Sequence, residues 1–183
     1  MDHVVIPLRR DHVGALATLA EGVASAAGVA RSTVRPNPHV TLVAYTGLAR
    51  AAALVAVEAA VADSGPFVLY AHGYGFFTGD DPQELSLHVP VVRNGPLDAL
   101  HRDVCDGLHR AGAIVAGWSE SALWSPHITL LDRGLDAAGL GAAAAWLAHR
   151  HHPSWHVPVD RVLLTGGWTE REEGGDLVAL VGP

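Results

Sequence analysis

Two five-residue segments, PHVTL at residues 38–42 and PHITL at residues 126–130, carry one pattern: proline, histidine, an apolar residue, threonine and leucine. Polar and apolar residues alternate in both, which is typical of a β-strand that turns one face to a core. Because side chains on a strand point alternately to its two faces, each histidine shares a face with the threonine two residues later. Each strand therefore presents one imidazole and one hydroxyl side by side, and buries its apolar residues on the other face.

A similar order of elements surrounds each motif. In the first half, hydrophobic periodicity and breaker residues predict a strand over 3–8, a helix over 11–29 with Asp11 as its cap, the motif strand over 39–45, a helix over 48–63, and strands over 67–77 and 85–92. In the second half, they predict a helix over 95–111, the motif strand over 125–132, a helix over 135–149, and strands near 156–165 and 176–181. Polar turns are predicted at 78–83 and 169–176. Helix, motif strand, helix and two strands thus occur twice, which indicates an internal duplication.

The mixed order of helices and strands predicts an α+β fold with antiparallel pairing. We expect one domain over residues 1–183, with two pseudo-symmetric lobes built around 38–42 and 126–130. If the lobes pack about a pseudo-twofold axis, both histidines and both threonines converge in one cleft.

The composition limits the classes of function. Of the 183 residues, 49% are hydrophobic and 17% are charged, which is typical of a folded globular chain. The net charge of −7 argues against broad electrostatic binding of nucleic acid. The single cysteine, Cys105, cannot form an internal disulfide, and we expect it to be buried on a helix. With no apparent signal peptide and no apolar run long enough to span a bilayer, we expect a cytoplasmic protein that does not bind membranes.

The paired motifs suit phosphodiester chemistry. In-line displacement at phosphorus needs a base on the attacking oxygen and an acid on the leaving oxygen, and imidazole, with a pKa near 6.5, serves either purpose. We predict His39 and His127 as this pair, each role contributing roughly 10²–10⁴-fold in rate. Thr41 and Thr129 are predicted to donate hydrogen bonds to the phosphate oxygens. This set needs no metal and no cofactor.

Other side chains allow a structural and a functional interpretation. The segment 149–152, which contains three histidines and Arg150, is with the nearby His156 either a solvated connection or a metal site, and the former is expected. His72 and His88 lie on predicted strands and are expected to pack or face solvent, with a role in the cleft as the alternative. Trp124 and Phe76 are candidates for stacking on a nucleobase, although aromatic residues also fill cores.

With these residues in place, the chain resembles the two-histidine (2H) phosphoesterases. This superfamily includes the bacterial 2'-5' RNA ligase or RNA 2',3'-cyclic phosphodiesterase family. The resemblance rests on the paired motifs, on the glycine- and phenylalanine-containing segment 73–77 with the strand after it, and on the closing segments 159–167 and 176–182. It implies a bilobal, pseudo-twofold duplicated fold in which two antiparallel sheets line a cleft and the helices lie outside.

The resemblance also implies metal-independent work on cyclic or 2'-5' phosphodiesters. The expected partner is a cyclic nucleotide or an RNA end with a 2',3'-cyclic phosphate, bound by a monomer. Three activities stay open: opening of 2',3'-cyclic phosphates, action on 2'-5' bonds or on ADP-ribose cyclic phosphate, and binding without turnover. Arg133 lies six residues after His127, and even spacing along a strand places it on the His–Thr face as a candidate substrate contact. Tyr45 holds the matching position after His39.

Overall fold

The structure of the chain is a computed structural model that describes residues 1–34, 37–78, 84–150, 154–166 and 175–182. Most of the two predicted polar turns, namely 79–83 of the first and 169–174 of the second, lies outside the described residues. The same holds for His151 and His152.

Every predicted helix is present in the described part of the chain. The helices are α1 (Arg10–Ala27), α2 (Arg50–Val61), α3 (Gly95–Arg110) and α4 (Ala137–Ala148). The strands are β1 (Asp2–Pro7), β2 (His39–Thr46), β3 (Phe67–His72), β4 (Gly75–Phe77), β5 (Leu85–Val92), β6 (Ile114–Val115), β7 (His127–Leu135), β8 (Ser154–Val159), β9 (Arg161–Gly166) and β10 (Asp176–Ala179). Hydrophobic periodicity for α1 and α3, and alanine-rich composition for α2 and α4, predicted these helices to within two residues at each end.

Side-chain caps start the two helices of the second half. Asn94 caps α3 and Asp136 caps α4, each accepting a hydrogen bond from the backbone N–H three residues later. The prediction that Asp11 caps α1 is wrong. Arg9 holds the cap position without a side-chain bond, and Asp11 lies inside the first turn, where a carboxylate complements the helix dipole.

Two of the predicted strands are each divided in the structure. Residues 67–77 form β3 and β4, which are separated at Gly73, where a φ of +75° requires the conformational freedom of glycine. Residues 156–165 belong to β8 and β9, which are separated at Asp160. β8 pairs with β3, whereas β9 pairs with β1, so the chain passes from one lobe to the other at Asp160.

All pairings among the described strands are antiparallel, in the order β10-β9-β1-β2-β7-β5-β3-β8, with β4 beside β5 and β6 beside β2. The predicted α+β, antiparallel fold class is therefore confirmed. One lobe contains β2, β1, β9 and β10, and the other contains β7, β5, β3 and β8. In each lobe the motif strand lies at the middle of the sheet, and the other three strands follow outward in the order given. The two expected sheets join in one strand order because the motif strands, β2 and β7, pair with each other at Val40 and Ile128.

The helices pack in two pairs, each with one helix from either half of the chain. α1 packs on α4, and α2 packs on α3. α1 also contacts β7, and α3 contacts β2, so the first helix of each half covers the motif strand of the other half. The core faces of the motif strands are closed in this way: Val40, Leu42, Ile128 and Leu130 are at most 1% exposed. No helix in the described residues combines the length and the apolar character needed to cross a membrane.

Candidate active site

The pairing of β2 with β7 brings the two motifs together. Val40 lies opposite Ile128, and both point into the core. In an antiparallel pair, the residues on either side of this point lie opposite each other on the other face, with Cβ atoms roughly 5 Å apart across the strands. The histidine of each motif thus lies beside the threonine of the other. We call this surface the motif face, and it consists of His39, Thr41, His127 and Thr129.

The proline of each motif helps to hold its histidine. The Nδ1 of His39 lies 2.9 Å from the carbonyl oxygen of Asn37, and the Nδ1 of His127 lies 2.7 Å from that of Ser125. A residue before proline is restricted to extended conformations, which fixes the direction of these two carbonyl groups. Because a carbonyl oxygen only accepts, each Nδ1 donates a hydrogen. In the neutral rings, Nε2 therefore carries the lone pair, on the opposite side of the ring.

The environment of His127 favours its neutral form. Burial lowers the pKa of His127 below its usual value of 6.5, and a charge on His39 lowers it further. The hydrogen bond to the carbonyl of Ser125 acts in the opposite direction but does not reverse the shift. At neutral pH, His127 is consequently more completely deprotonated than an exposed histidine, and its Nε2 is able to accept a proton.

A β-bulge follows the first motif. Thr41 pairs with Val5, but Val43 pairs with Val4, so Leu42 is an extra residue on β2. Neighbouring residues on β1 point to opposite faces, and Val43 therefore faces away from Thr41. Beyond Leu42, odd-numbered residues of β2 therefore point to the core instead of to the face that carries His39 and Thr41.

The second motif carries the same bulge. Thr129 pairs with His88, but Leu131 pairs with Leu87, which leaves Leu130 as the extra residue on β7. The duplication thus extends beyond the two motifs to the irregularity of the strands that carry them. It also shows one difference between the lobes, because the residue opposite the threonine is a valine on β1 and a histidine on β5.

The expectations for Tyr45 and Arg133 assumed unbroken alternation, which the bulges interrupt. Tyr45 is 1% exposed, and burial, with Asp2 nearby, raises the pKa of its phenol to about 12. It belongs to the core and cannot stack on a ligand. Arg133 is exposed, has a φ of 63°, and lies 3.7 Å from the carboxylate of Glu84. The strand extends as far as Arg133, but spacing from His127 no longer places this side chain on the motif face.

Trp124 is also part of the core, against the expectation that it contacts substrate. It is 4% exposed, and its ring stacks on that of His101 at 3.8 Å between centroids. The indole N–H donates to the carbonyl oxygen of Thr41 at 3.0 Å. Trp124 therefore links the chain before the second motif to the strand of the first.

Phe77, rather than Phe76, lies beside the motif face. Gly75 pairs with His88, and Phe77 pairs with Ser86. The side chains of Phe77, Ser86 and His88 therefore lie on one face of the sheet. The rings of Phe77 and His127 meet edge to face at 4.8 Å. Phe76 is 53% exposed on the opposite face of β4, so the structure does not bring it to the motif face. A shift of one residue along a strand changes the face.

His88 joins this group as a third histidine. Its ring stacks on Phe77 at 4.2 Å and lies 5.0 Å from the ring of His127. Burial, followed by the charge of His127, lowers the pKa of His88 to about 4, so the ring is neutral at physiological pH. The sequence placed His88 on a strand but did not select the alternative of a role in the cleft. The missing information was the strand register, which puts it opposite Thr129.

The described residues contain no group of three histidine, cysteine, aspartate or glutamate side chains that could hold a metal ion. Two of the histidines considered for a metal site, His151 and His152, lie outside the described residues. Cys105 is buried on α3, as expected for a structural residue, and burial raises the pKa of its thiol to about 12.

The same fold occurs in solved structures. The chain is similar to TT0787 of Thermus thermophilus, with a TM-score of 0.64, 18% identity, and coverage of 98% of this chain and 94% of that one. It is similar to a phosphoesterase, with a TM-score of 0.56, 16% identity, and coverage of 100% and 98%. It is also similar to Escherichia coli LigT complexed with 3'-AMP, with a TM-score of 0.54, 16% identity, and coverage of 98% and 94%. At these identities, the comparison establishes the fold shared with these structures.

Sequence comparison establishes the family. The model of the 2'-5' RNA ligase superfamily matches residues 12–166, a segment that contains both motifs and most of the chain. The chain belongs to this superfamily, and the resemblance to the 2H phosphoesterases is confirmed. A search of curated proteins finds no match.

Proposed function

We propose that this chain is a metal-independent phosphodiesterase that opens 2',3'-cyclic phosphates, on RNA ends or on nucleotides, to 2'-phosphates. The observation that carries the proposal is the pairing of the motif strands. It sets His39 and His127 on one face, each with Nδ1 bound to a backbone carbonyl and each beside a threonine of the other motif. Membership of a superfamily of RNA ligases and phosphoesterases supports it.

In the proposed reaction, His127 accepts a proton from water through Nε2. The water oxygen forms a bond to phosphorus as the bond from phosphorus to the 3'-oxygen breaks, and His39 donates a proton to that oxygen. The lowered pKa of His127 supports its role as the base. Water is consumed, and the product carries a 2'-phosphate and a 3'-hydroxyl.

Thr41 and Thr129 are proposed to hold the phosphate between the histidines. Each lies two residues after a histidine on the same face, before the bulge reverses the alternation. Hydroxyl groups at these positions donate to the non-bridging oxygens, where negative charge increases in the transition state. The complex of LigT with 3'-AMP supports a nucleoside phosphate as the class of ligand.

Charge favours a small substrate over long RNA. The chain has a net charge of −7, and its positive charges are all arginines. Arg133, the candidate nearest the second motif in sequence, pairs with Glu84. A long RNA is attracted mainly through its many phosphates, which an acidic protein repels. A nucleoside cyclic phosphate or a small cyclic phosphodiester, such as ADP-ribose cyclic phosphate, avoids that cost. Joining of 2'-5' ends is the same displacement of the 3'-oxygen with a 5'-hydroxyl in place of water as the nucleophile.

Hydrolysis of the four nucleoside 2',3'-cyclic monophosphates in EDTA tests the proposal. We expect the wild type to form nucleoside 2'-phosphates, identified by phosphorus NMR. His39→Ala and His127→Ala should each lose roughly 10²–10⁴-fold in turnover. His72→Ala is the matched control, because His72 is an exposed strand histidine away from the motif strands, and it should retain activity.

Near-normal rates in both motif variants would contradict the mechanism. Turnover that EDTA abolishes would contradict metal independence. The chain would be a binding module instead of an enzyme if it bound nucleotides tightly but did not turn over the cyclic monophosphates, ADP-ribose cyclic phosphate or 2'-5' oligonucleotides.

A further inference from the structure

The two lobes differ in the residue that lies opposite the motif threonine. In the first lobe, Val5 lies opposite Thr41, and in the second, His88 lies opposite Thr129. The pairs that follow match, because Pro7 lies opposite His39 and Pro90 opposite His127. This difference between Val5 and His88 therefore distinguishes the surroundings of the two motif histidines.

The ring of His88 occupies a closely fitted position. It is stacked on Phe77 on one side and lies 5.0 Å from the ring of His127. On another side it lies over the backbone of Gly75, where a Cβ atom would be only 2.5 Å from Nε2. The residue is 6% exposed, and its Nδ1 is buried without a hydrogen-bond partner in the described structure. Such a ring has little freedom to rotate, so it forms a fixed wall.

From this geometry, and on the basis of the proposed function, we propose that His88 is a positioning residue that acts through His127. Its uncharged ring, together with Phe77, shields one side of His127 from water, orients the His127 imidazole, and keeps it in the neutral form required of the base. On β1, the residue opposite Thr41 is the aliphatic Val5, and His39 is proposed to act as the acid.

Charges at the site agree with this assignment. The titratable group whose charge lowers the pKa of His127 is His39 on β2. His88 on β5 also faces His127, and the charge of His127 lowers the pKa of His88. β4 contributes Gly75 and Phe77, which do not titrate. A proton on either neighbouring histidine disfavours a proton on His127, and desolvation acts in the same direction. An uncharged His88 thus excludes water from the His127 ring without placing a second positive charge beside it at neutral pH.

The test compares His88→Ala, which opens the wall to water, with His88→Leu, which keeps an uncharged side chain of similar volume. The first readout is the titration midpoint of the His127 ring, measured by long-range proton–nitrogen NMR on the protein without substrate. The signals of His127 are assigned by their absence from His127→Ala. In His88→Ala, the midpoint should rise by about half a pH unit or more, because water returns to the ring. In His88→Leu, it should stay close to the wild-type value.

The second readout is the pH profile of kcat/KM on cytidine 2',3'-cyclic monophosphate. Its acidic limb should move to higher pH in His88→Ala and remain in place in His88→Leu. If His88→Ala folds poorly, Phe77→Ala removes the other half of the wall and should shift the midpoint in the same direction. A His127 midpoint unchanged in a folded His88→Ala or Phe77→Ala variant would overturn the inference, as would equal shifts in the alanine and leucine variants.

The two proposals fail in different ways. Absence of turnover in the wild type would contradict the proposed function, while the NMR titration would still decide the role of His88. Normal turnover with an unmoved titration would leave the proposed function standing and make His88 a purely structural residue.

Discussion

Substitution of Gly75 by alanine tests whether the His88 ring lies where the structure places it. A methyl group at this position would lie 2.5 Å from Nε2, 3.0 Å from Cε1 and 3.3 Å from Cδ2 of His88. The backbone of Gly75 has no left-handed φ, so it accepts alanine without strain. The predicted effect therefore comes from the collision with the ring alone.

The magnitude follows from two opposing effects. Overpacking at such a contact costs about 1–3 kcal/mol, whereas replacing glycine reduces the entropy of the unfolded chain and returns about 0.4–1 kcal/mol. We expect Gly75→Ala to lower the free energy of unfolding by roughly 1–2 kcal/mol, which for a chain of this size lowers Tm by about 2–8 °C. Calorimetry at neutral pH measures this change.

A double-mutant cycle identifies the cause. In the presence of His88→Ala, the added methyl group enters the space that the ring has left. Gly75→Ala should then stabilise the protein by about 0.4–1 kcal/mol, and the coupling should equal about 1–3 kcal/mol. Gly14→Ala is the matched control, because this exposed position on α1 has nothing within 4 Å of a new Cβ, and alanine should stabilise the helix by about 0.5–1 kcal/mol. An equal effect of Gly75→Ala with and without the His88 ring would refute the reasoning.

The low pKa of His88, about 4 against 6.5 in the unfolded chain, contributes stability that is complete above pH 6.5 and is lost as the pH falls towards 4. The full contribution is of order 3 kcal/mol, so urea unfolding from pH 7.5 to 4.5 should show a smaller loss for His88→Leu than for the wild type, and parallel curves would contradict this. Trp124→Phe removes the donor to the carbonyl of Thr41 and should lower the free energy of urea unfolding by about 1–3 kcal/mol; an unchanged midpoint would show that the bond contributes nothing. Gly22→Ala places a methyl group 2.4 Å from the Trp146 ring between α1 and α4, and a Tm equal to the wild type would disprove the predicted loss of about 1–3 kcal/mol.

Local patterns accounted for the helices, the motif strands and the orientation of their apolar residues. Periodicity of 3.6 or 2 residues reflects which side of an element is buried, and this information is present in any short window of sequence. The same patterns did not show that residues 156–165 pass between lobes at Asp160, because the partners of the two resulting strands lie far away in the chain.

Site residues that depended on longer extrapolation were less well predicted. Tyr45 and Arg133 were placed by counting six residues from a histidine. One extra residue in β2 and two register shifts in β7 interrupt that count. A bulge leaves little trace in composition, since Leu42 and Leu130 are ordinary core residues. Trp124 and Phe76 were chosen for their aromatic character, which is shared by residues that stack on ligands and residues that fill a core.

By itself, the sequence determined that two strands each carry a histidine and a threonine on one face, since alternation along a strand is a local property of the backbone. Only the tertiary structure decided that Val40 meets Ile128 and that Phe77 and His88 lie beside His127. These contacts join residues that are distant in the chain. Strand register and bulges decide which contacts form, and both are set only when the whole sheet packs.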